Sequence, residues 1–154
     1  MPYRIQLRSD LNLVILRWSG EITHKEIEEW LAEAPRMAGF RPGLNLLSDT
    51  RGCTTAIDWW QIRSVAALAR EHEPAWGHSK WATVVSGDLI YGLARMYTAF
   101  ASQRNVVNRV FRDVDPALAW LKSGTDIGAA LDKLETVLAE TELSYSHRDK
   151  LAQE

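Results

Sequence analysis

The sequence has little of what most catalytic or membrane-anchored proteins carry. Cys53 is the only cysteine in 154 residues, so neither an intramolecular disulfide nor a Cys-pair metal site can form. A lone thiol fits a reducing compartment, and the cytoplasm is the expected location. No window approaches about eighteen consecutive apolar residues, which removes a membrane-spanning helix. The opening Met1-Pro2-Tyr3-Arg4-Ile5-Gln6 lacks the apolar run of a signal peptide. Neither sign of charge dominates, the net being −2, so nucleic acid and anionic lipid have no electrostatic handle. His24, His72, His78 and His147 form no His-Glu-x-x-His, and Pro74 and Gly77 separate the middle two. There is no Gly-x-Ser-x-Gly elbow and no phosphate-binding glycine fingerprint. The sequence therefore predicts neither an enzyme nor a metal or cofactor site.

What is present is an ordinary one-domain length and an unusual number of tryptophans, seven. Indoles in surplus either fill a core or line interfaces and pocket walls. Residues 3–8 and 11–18 read as two strands with the turn Ser9-Asp10 between them. Thr23 and Glu26 have capping-box spacing and open a helix whose inner face is Ile27, Trp30, Leu31 and Ala34. Residues 44–49 form a short apolar strand and 50–55 a polar loop. A helix over about 56–72 follows, with the stripe Ile62, Val65, Ala66 and Ala69; Trp60 falls nearly opposite it. Pro74 and Gly77 break the chain. Residues 80–86 form a strand. Residues 89–104 form a helix burying Leu89, Ile90, Leu93, Met96, Tyr97 and Phe100, and 106–111 form another strand. Asp115 caps a short helix with Pro116 at its first position. A last helix, about 126–143, carries Ile127, Leu131, Leu134 and Leu138 on one stripe.

The order β-β-α-β-α-β-α-β-α, with an extra C-terminal helix, predicts an α/β fold. Its sheet is mixed, mostly parallel, and of about five strands with right-handed crossovers. Residues 1–123 make the domain, and 124–154 are a helix and tail belonging to it.

Several stretches resemble the SpoIIAA-like family, in the family's order. They are Trp18-Ser19-Gly20-Glu21-Ile22-Thr23, Ala82-Thr83-Val84-Val85, Tyr91-Gly92-Leu93-Ala94-Arg95-Met96-Tyr97, Val110-Phe111-Arg112-Asp113 and Ala117-Leu118-Ala119-Trp120-Leu121. Together they cover roughly residues 3–122. The resemblance implies a STAS-related fold, akin to anti-anti-sigma factors and to the lipid-binding CRAL-TRIO fold. It also implies a bacterial protein that works in signalling by recognition. Anti-anti-sigma factors carry Asp-Ser-Ser-Gly-type residues, with a phosphorylated serine, after the third strand. The matching residues 49–58 lack that motif, and Thr54 or Thr55 stands in the serine's place.

In open α/β sheets, ligands bind outside the carboxyl ends of the strands. Two such ends are legible, residues 49–58 and Ser86-Gly87-Asp88, where helix N-termini would offer N–H groups to a small anion. The candidate cleft is Asp49, Arg51, Thr54, Thr55, Ser86 and Asp88. The plainer alternative makes Thr55 and Asp88 helix caps and Asp49 a strand end. Arg51 and a helix N-terminus near Cys53 would lower its pKa, whereas the plainer alternative is a buried, inert thiol. Trp60, an indole on a polar helix face, is one candidate partner surface. The stripe Ile127, Leu131, Leu134, Leu138 is another, packing either on its own sheet or in a homodimer. The expected function is a non-catalytic module acting through protein–protein recognition, with a small anionic ligand. The alternative is a carrier of a small apolar or lipid ligand, which requires an apolar cavity between helix and sheet. An enzyme with an unrecognised site is the third reading and requires several of Asp49, Arg51, Thr54 and Asp88 to converge.

Overall fold

The computed structural model describes residues 2–101 and 105–123. The chain divides into two compact units, Met1–Leu121 and Lys122–Glu154, and the sheet belongs to the first. In chain order its elements are β1 (Tyr3–Arg8), β2 (Leu13–Trp18), β3 (Glu21–Ile22), α1 (His24–Glu33), β4 (Asn45–Asp49), β5 (Thr54–Thr55), α2 (Ile62–Trp76), β6 (Ser79–Val84), α3 (Asp88–Ala101), β7 (Val106–Phe111) and α4 (Val114–Lys122). β1 and β2 pair antiparallel, and β4, β6 and β7 then add in parallel, giving the order β1-β2-β4-β6-β7. The mixed, mostly parallel five-stranded sheet expected from the sequence is the sheet that forms. A tight reversal, 3₁₀ turn Ser9–Leu11, joins the first two strands and ends on Asn12 at φ 55°, a left-handed conformation asparagine tolerates.

Strand register assigns the faces. Val14, Leu46, Trp81 and Asn108 stand abreast across four strands, and so do Leu16, Ser48, Thr83 and Val110. Side chains alternate along a strand, so both rows share one face. Helices α1, α2 and α3 cover it, burying Trp30, Leu31, Ile62, Val65 and Ala69 against it. On the other face α4 brings Trp120 to Lys80 and Phe111: Lys80 Nζ donates to the Trp120 carbonyl at 3.1 Å, and the two rings lie 5.8 Å apart.

The helix expected at 56–72 is displaced at both ends. Thr54 and Thr55 are not loop residues but pair in parallel with Glu21 and Ile22, so the chain stays extended beyond residue 55. Asp58 and Gln61 then form a capping box, and a 3₁₀ turn, Trp59–Gln61, leads into α2. At the far end Pro74 lies inside the helix, although its ring lacks the N–H that would bond the Arg70 carbonyl. The helix continues because Trp76 is completely buried, with ring centroids 6.2 Å from Trp30, 5.0 Å from Phe40 and 5.1 Å from Trp81. Gly77, at φ 64°, ends it; a Cβ there would meet Pro42 Cβ at 3.2 Å.

Two further expectations change. Leu89 is not buried but 72% exposed, because it sits in the first turn of α3 beyond the edge of the sheet face. Of all α3 residues only Ala101 is fully buried. The stripe Ile127, Leu131, Leu134, Leu138 and the helix expected to carry it fall outside the described residues. Four of the seven tryptophans, Trp18, Trp30, Trp76 and Trp81, are core residues, while Trp59 and Trp60 are exposed. Replacing Trp76 by Ala should therefore lower the unfolding free energy by about 3–5 kcal/mol in urea denaturation. Trp59→Ala should stay within about 0.5 kcal/mol of the wild type.

Candidate functional site

A cavity of about 150 Å³ lies between the sheet and helices α1, α2 and α3. Its floor is the inward row of the central strands, Leu46 and Ser48 of β4, Trp81 and Thr83 of β6, and Asn108 of β7. Trp18, Trp30, Ile62 and Val65 wall one side; Ile90, Leu93, Ala94 and Tyr97 of α3 wall the other. No side chain of its lining carries a formal charge at neutral pH. The α3 residues are half-buried: they line this space and pack against the edge of the core.

The polar groups of the lining are sparse and mostly engaged. Trp18 Nε1 donates to Ser48 Oγ at 3.2 Å. The Thr50 hydroxyl donates to the Val84 carbonyl at 2.8 Å. The Thr55 hydroxyl donates to the Ile22 carbonyl at 3.2 Å and accepts the Ile57 N–H at 3.0 Å. Burial pushes the Tyr97 phenol upward, with Arg70 opposing, so it stays neutral.

The six residues singled out at the carboxyl ends of the strands fall into separate arrangements. Asp49 alternates with Ser48 and so faces away from the cavity. Its carboxylate accepts Arg51 Nε and Nη2, each at 2.9 Å, and the Arg51 backbone N–H at 3.1 Å. Arg17 Nη1 lies 4.0 Å from the same carboxylate. Ser86 Oγ accepts the Gly52 N–H at 2.8 Å and ties the two loops together. Asp88, 95% exposed, pairs with Arg112 at 3.0 Å. Thr54 is exposed in the short β3–β5 ladder, and Thr55 alone of the six lines the cavity. The role of Thr55 is not to cap α2, since Asp58 opens the turn that precedes it.

Cys53 is buried, and its thiol is pushed up to about 11, chiefly by desolvation and secondarily by Asp49. The lowering expected from Arg51 does not occur, because Asp49 neutralises that guanidinium. His24 Nε2 and Ser64 Oγ lie 3.0 Å apart on the surface, but no carboxylate pairs with His24 among the described residues. Among the same residues no group of three His, Cys, Asp or Glu is placed to hold a metal ion. No helix among them is long and apolar enough to cross a membrane. Trp60 does not lie on a helix face as expected: with Trp59 it projects from the 3₁₀ turn that precedes α2, their rings edge to face at 5.9 Å.

Ser48, Thr83 and Asn108 did not stand out as functional in the sequence, yet a signal for them exists. Parallel central strands normally read as continuous apolar runs. A small polar residue at an inward position of two adjacent strands therefore marks missing volume.

The antiparallel edge strand, the parallel core and the helices on both faces define the class: a SpoIIAA-like α/β fold. A crystal structure of an uncharacterised protein of the DUF3478 family, with a SpoIIAA-like fold, from Shewanella loihica PV-4, superimposes with a TM-score of 0.51. That likeness covers 77% of this chain and 91% of the other, at 20% sequence identity, and so establishes the fold alone. No family model and no curated protein matches the sequence.

The Cys53 environment has a checkable consequence. A thiol raised from near 9 to about 11 stays protonated in the native state at neutral pH. Native protein should react negligibly with a thiol reagent at pH 8, and react fully once denatured. The sign for stability follows from linkage: the folded state holds this proton more tightly, so the thiol's contribution is complete below about pH 9 and is lost towards pH 11. Cys53→Ala should flatten that part of the pH profile of unfolding.

Proposed function

We propose that this chain is a non-catalytic binding module that holds a compact apolar ligand between its sheet and helices α1–α3. The observation that carries the reading is the cavity, apolar on nearly every side and walled by three indoles. A carrier reading of the sequence requires such a space between helix and sheet. Its size is that of a single ring rather than a long acyl chain, since an apolar cavity near 150 Å³ is known to take benzene.

Toluene is a suitable probe. At about ten times its dissociation constant it should stabilise the fold by about 1.4 kcal/mol, raising Tm by roughly 3–6 °C. Ala94 lines the α3 wall, so Ala94→Phe should fill the space and abolish the shift. Wild-type protein that shows neither a Tm shift nor binding heat up to the solubility limit of toluene would overturn the proposal.

Recognition of a protein partner is the second reading, favoured by the exposed Trp59–Trp60 pair. Self-recognition there predicts a dimer in sedimentation that Trp59→Ser with Trp60→Ser converts to a monomer. A monomer in both cases removes it. A small anion among Asp49, Arg51, Thr54, Thr55, Ser86 and Asp88 draws less support, since Asp49 already neutralises Arg51 and Asp88 is paired with Arg112.

A further inference from the structure

The floor of the cavity holds a feature that a purely apolar ligand does not explain. Ser48 and Thr83 are register partners on the adjacent parallel strands β4 and β6, and both line the space. Neighbouring strands lie about 4.8 Å apart, so the two side chains stand side by side on the floor, within reach of one shared oxygen atom. Ser48 is itself 7% exposed, and its oxygen accepts the Trp18 N–H. That bond leaves the Ser48 O–H proton to donate elsewhere. The Thr50 and Thr55 hydroxyls are committed to backbone carbonyls, but no such bond engages the Thr83 hydroxyl among the described residues.

Beside the Asn108 amide, the two hydroxyl donors of this otherwise apolar floor discriminate in both directions. A pure hydrocarbon strips them of water and gives nothing back, which is costly for a buried donor. A carboxylate or an amine meets no opposite charge anywhere in the lining and forfeits its hydration. A neutral ligand with one acceptor oxygen meets neither penalty.

We infer that the cavity selects a neutral, single-ring aromatic molecule bearing one oxygen substituent, and that Ser48 and Thr83 are the specificity pair that holds this oxygen. The inference rests on the binding role proposed above and names its ligand class. Trp18 is a positioning residue: its N–H fixes the Ser48 oxygen and so turns the serine proton towards the space.

Phenol and toluene have nearly the same size and shape and differ by a hydroxyl in place of a methyl. Calorimetric titration of the full chain with each ligand, in wild type and in Thr83→Val, separates oxygen recognition from shape. Valine keeps the branched outline of threonine and removes only the hydroxyl. The expected result is phenol binding weakened about three- to tenfold by T83V, with toluene binding unchanged within about twofold or tightened. Benzoate should bind wild type at least about tenfold more weakly than phenol, for want of a counter-charge. Ser48→Ala should shift the phenol-to-toluene ratio in the same direction; should that variant fail to fold, T83V decides alone. If T83V affects phenol no more than toluene, or if benzoate binds as well as phenol, the inference fails while the binding role stands. If neither phenol nor toluene binds wild type, both fail.

Discussion

The packing of Trp76 is the constraint on which the remaining architecture depends. The indole is wholly buried, and its neighbours come from three other parts of the chain: Trp30 of α1, Phe40 after it, and Trp81 of β6. Each large aromatic side chain buries some 150–250 Å², so this cluster outweighs any local preference nearby. It explains why α2 runs through Pro74 to reach residue 76. It also fixes how far α1 and α2 stand from the sheet. A crossover helix runs back towards the amino ends of the strands, so the C-terminus of α2 closes that end of the layer. Bulky rings set the separation there, and smaller side chains further along the strands do not fill it.

The cavity is the consequence. One row inward from Trp81 the floor is Ser48 and Thr83, which are too short to bridge the gap that the tryptophans establish. α3 does not descend to fill it, because its apolar face already packs on α2, on the rim of β7 and on the edge of the core, with Ile90, Leu93 and Tyr97 lining the space. The cavity therefore follows from a mismatch of side-chain volume between neighbouring rows of one sheet face. It does not need a special loop, a strained residue or a charged group.

That origin explains what was legible in the sequence. The strands, the capping box at Thr23 and Glu26, and the parallel order follow from periodicity and turn chemistry, which are local. The ends of α2 were not legible, because the pairing of Thr54 with Glu21 and the pull of Trp76 are both long-range. Leu89 reads as buried from helical spacing alone, but spacing does not say where the sheet ends. Likewise, Asp49 and Arg51 read as a candidate site because both are ionisable and lie at a strand end. Only the register shows that Asp49 points to the opposite face from Ser48, one residue before it. The cavity was hardest of all to foresee, since an unfilled volume leaves no residue of its own.

Charge distribution at this end of the molecule points the same way as the cavity. Asp49 accepts Arg51 and lies 4.0 Å from Arg17, and Asp88 pairs with Arg112, so each of these cations has an anion beside it. Two ionisable groups beside this layer, the Cys53 thiol and the Tyr97 phenol, are both displaced towards their neutral forms by burial. A site built to attract an anion leaves a cation unmatched or a helix N-terminus open; here the loop amide of Gly52 is taken by Ser86, and that of Arg51 by Asp49. With the ionic partners used up locally, discrimination at this layer falls to shape and to hydroxyls that are not yet committed. Those are the terms on which a neutral ring with one oxygen differs from its competitors.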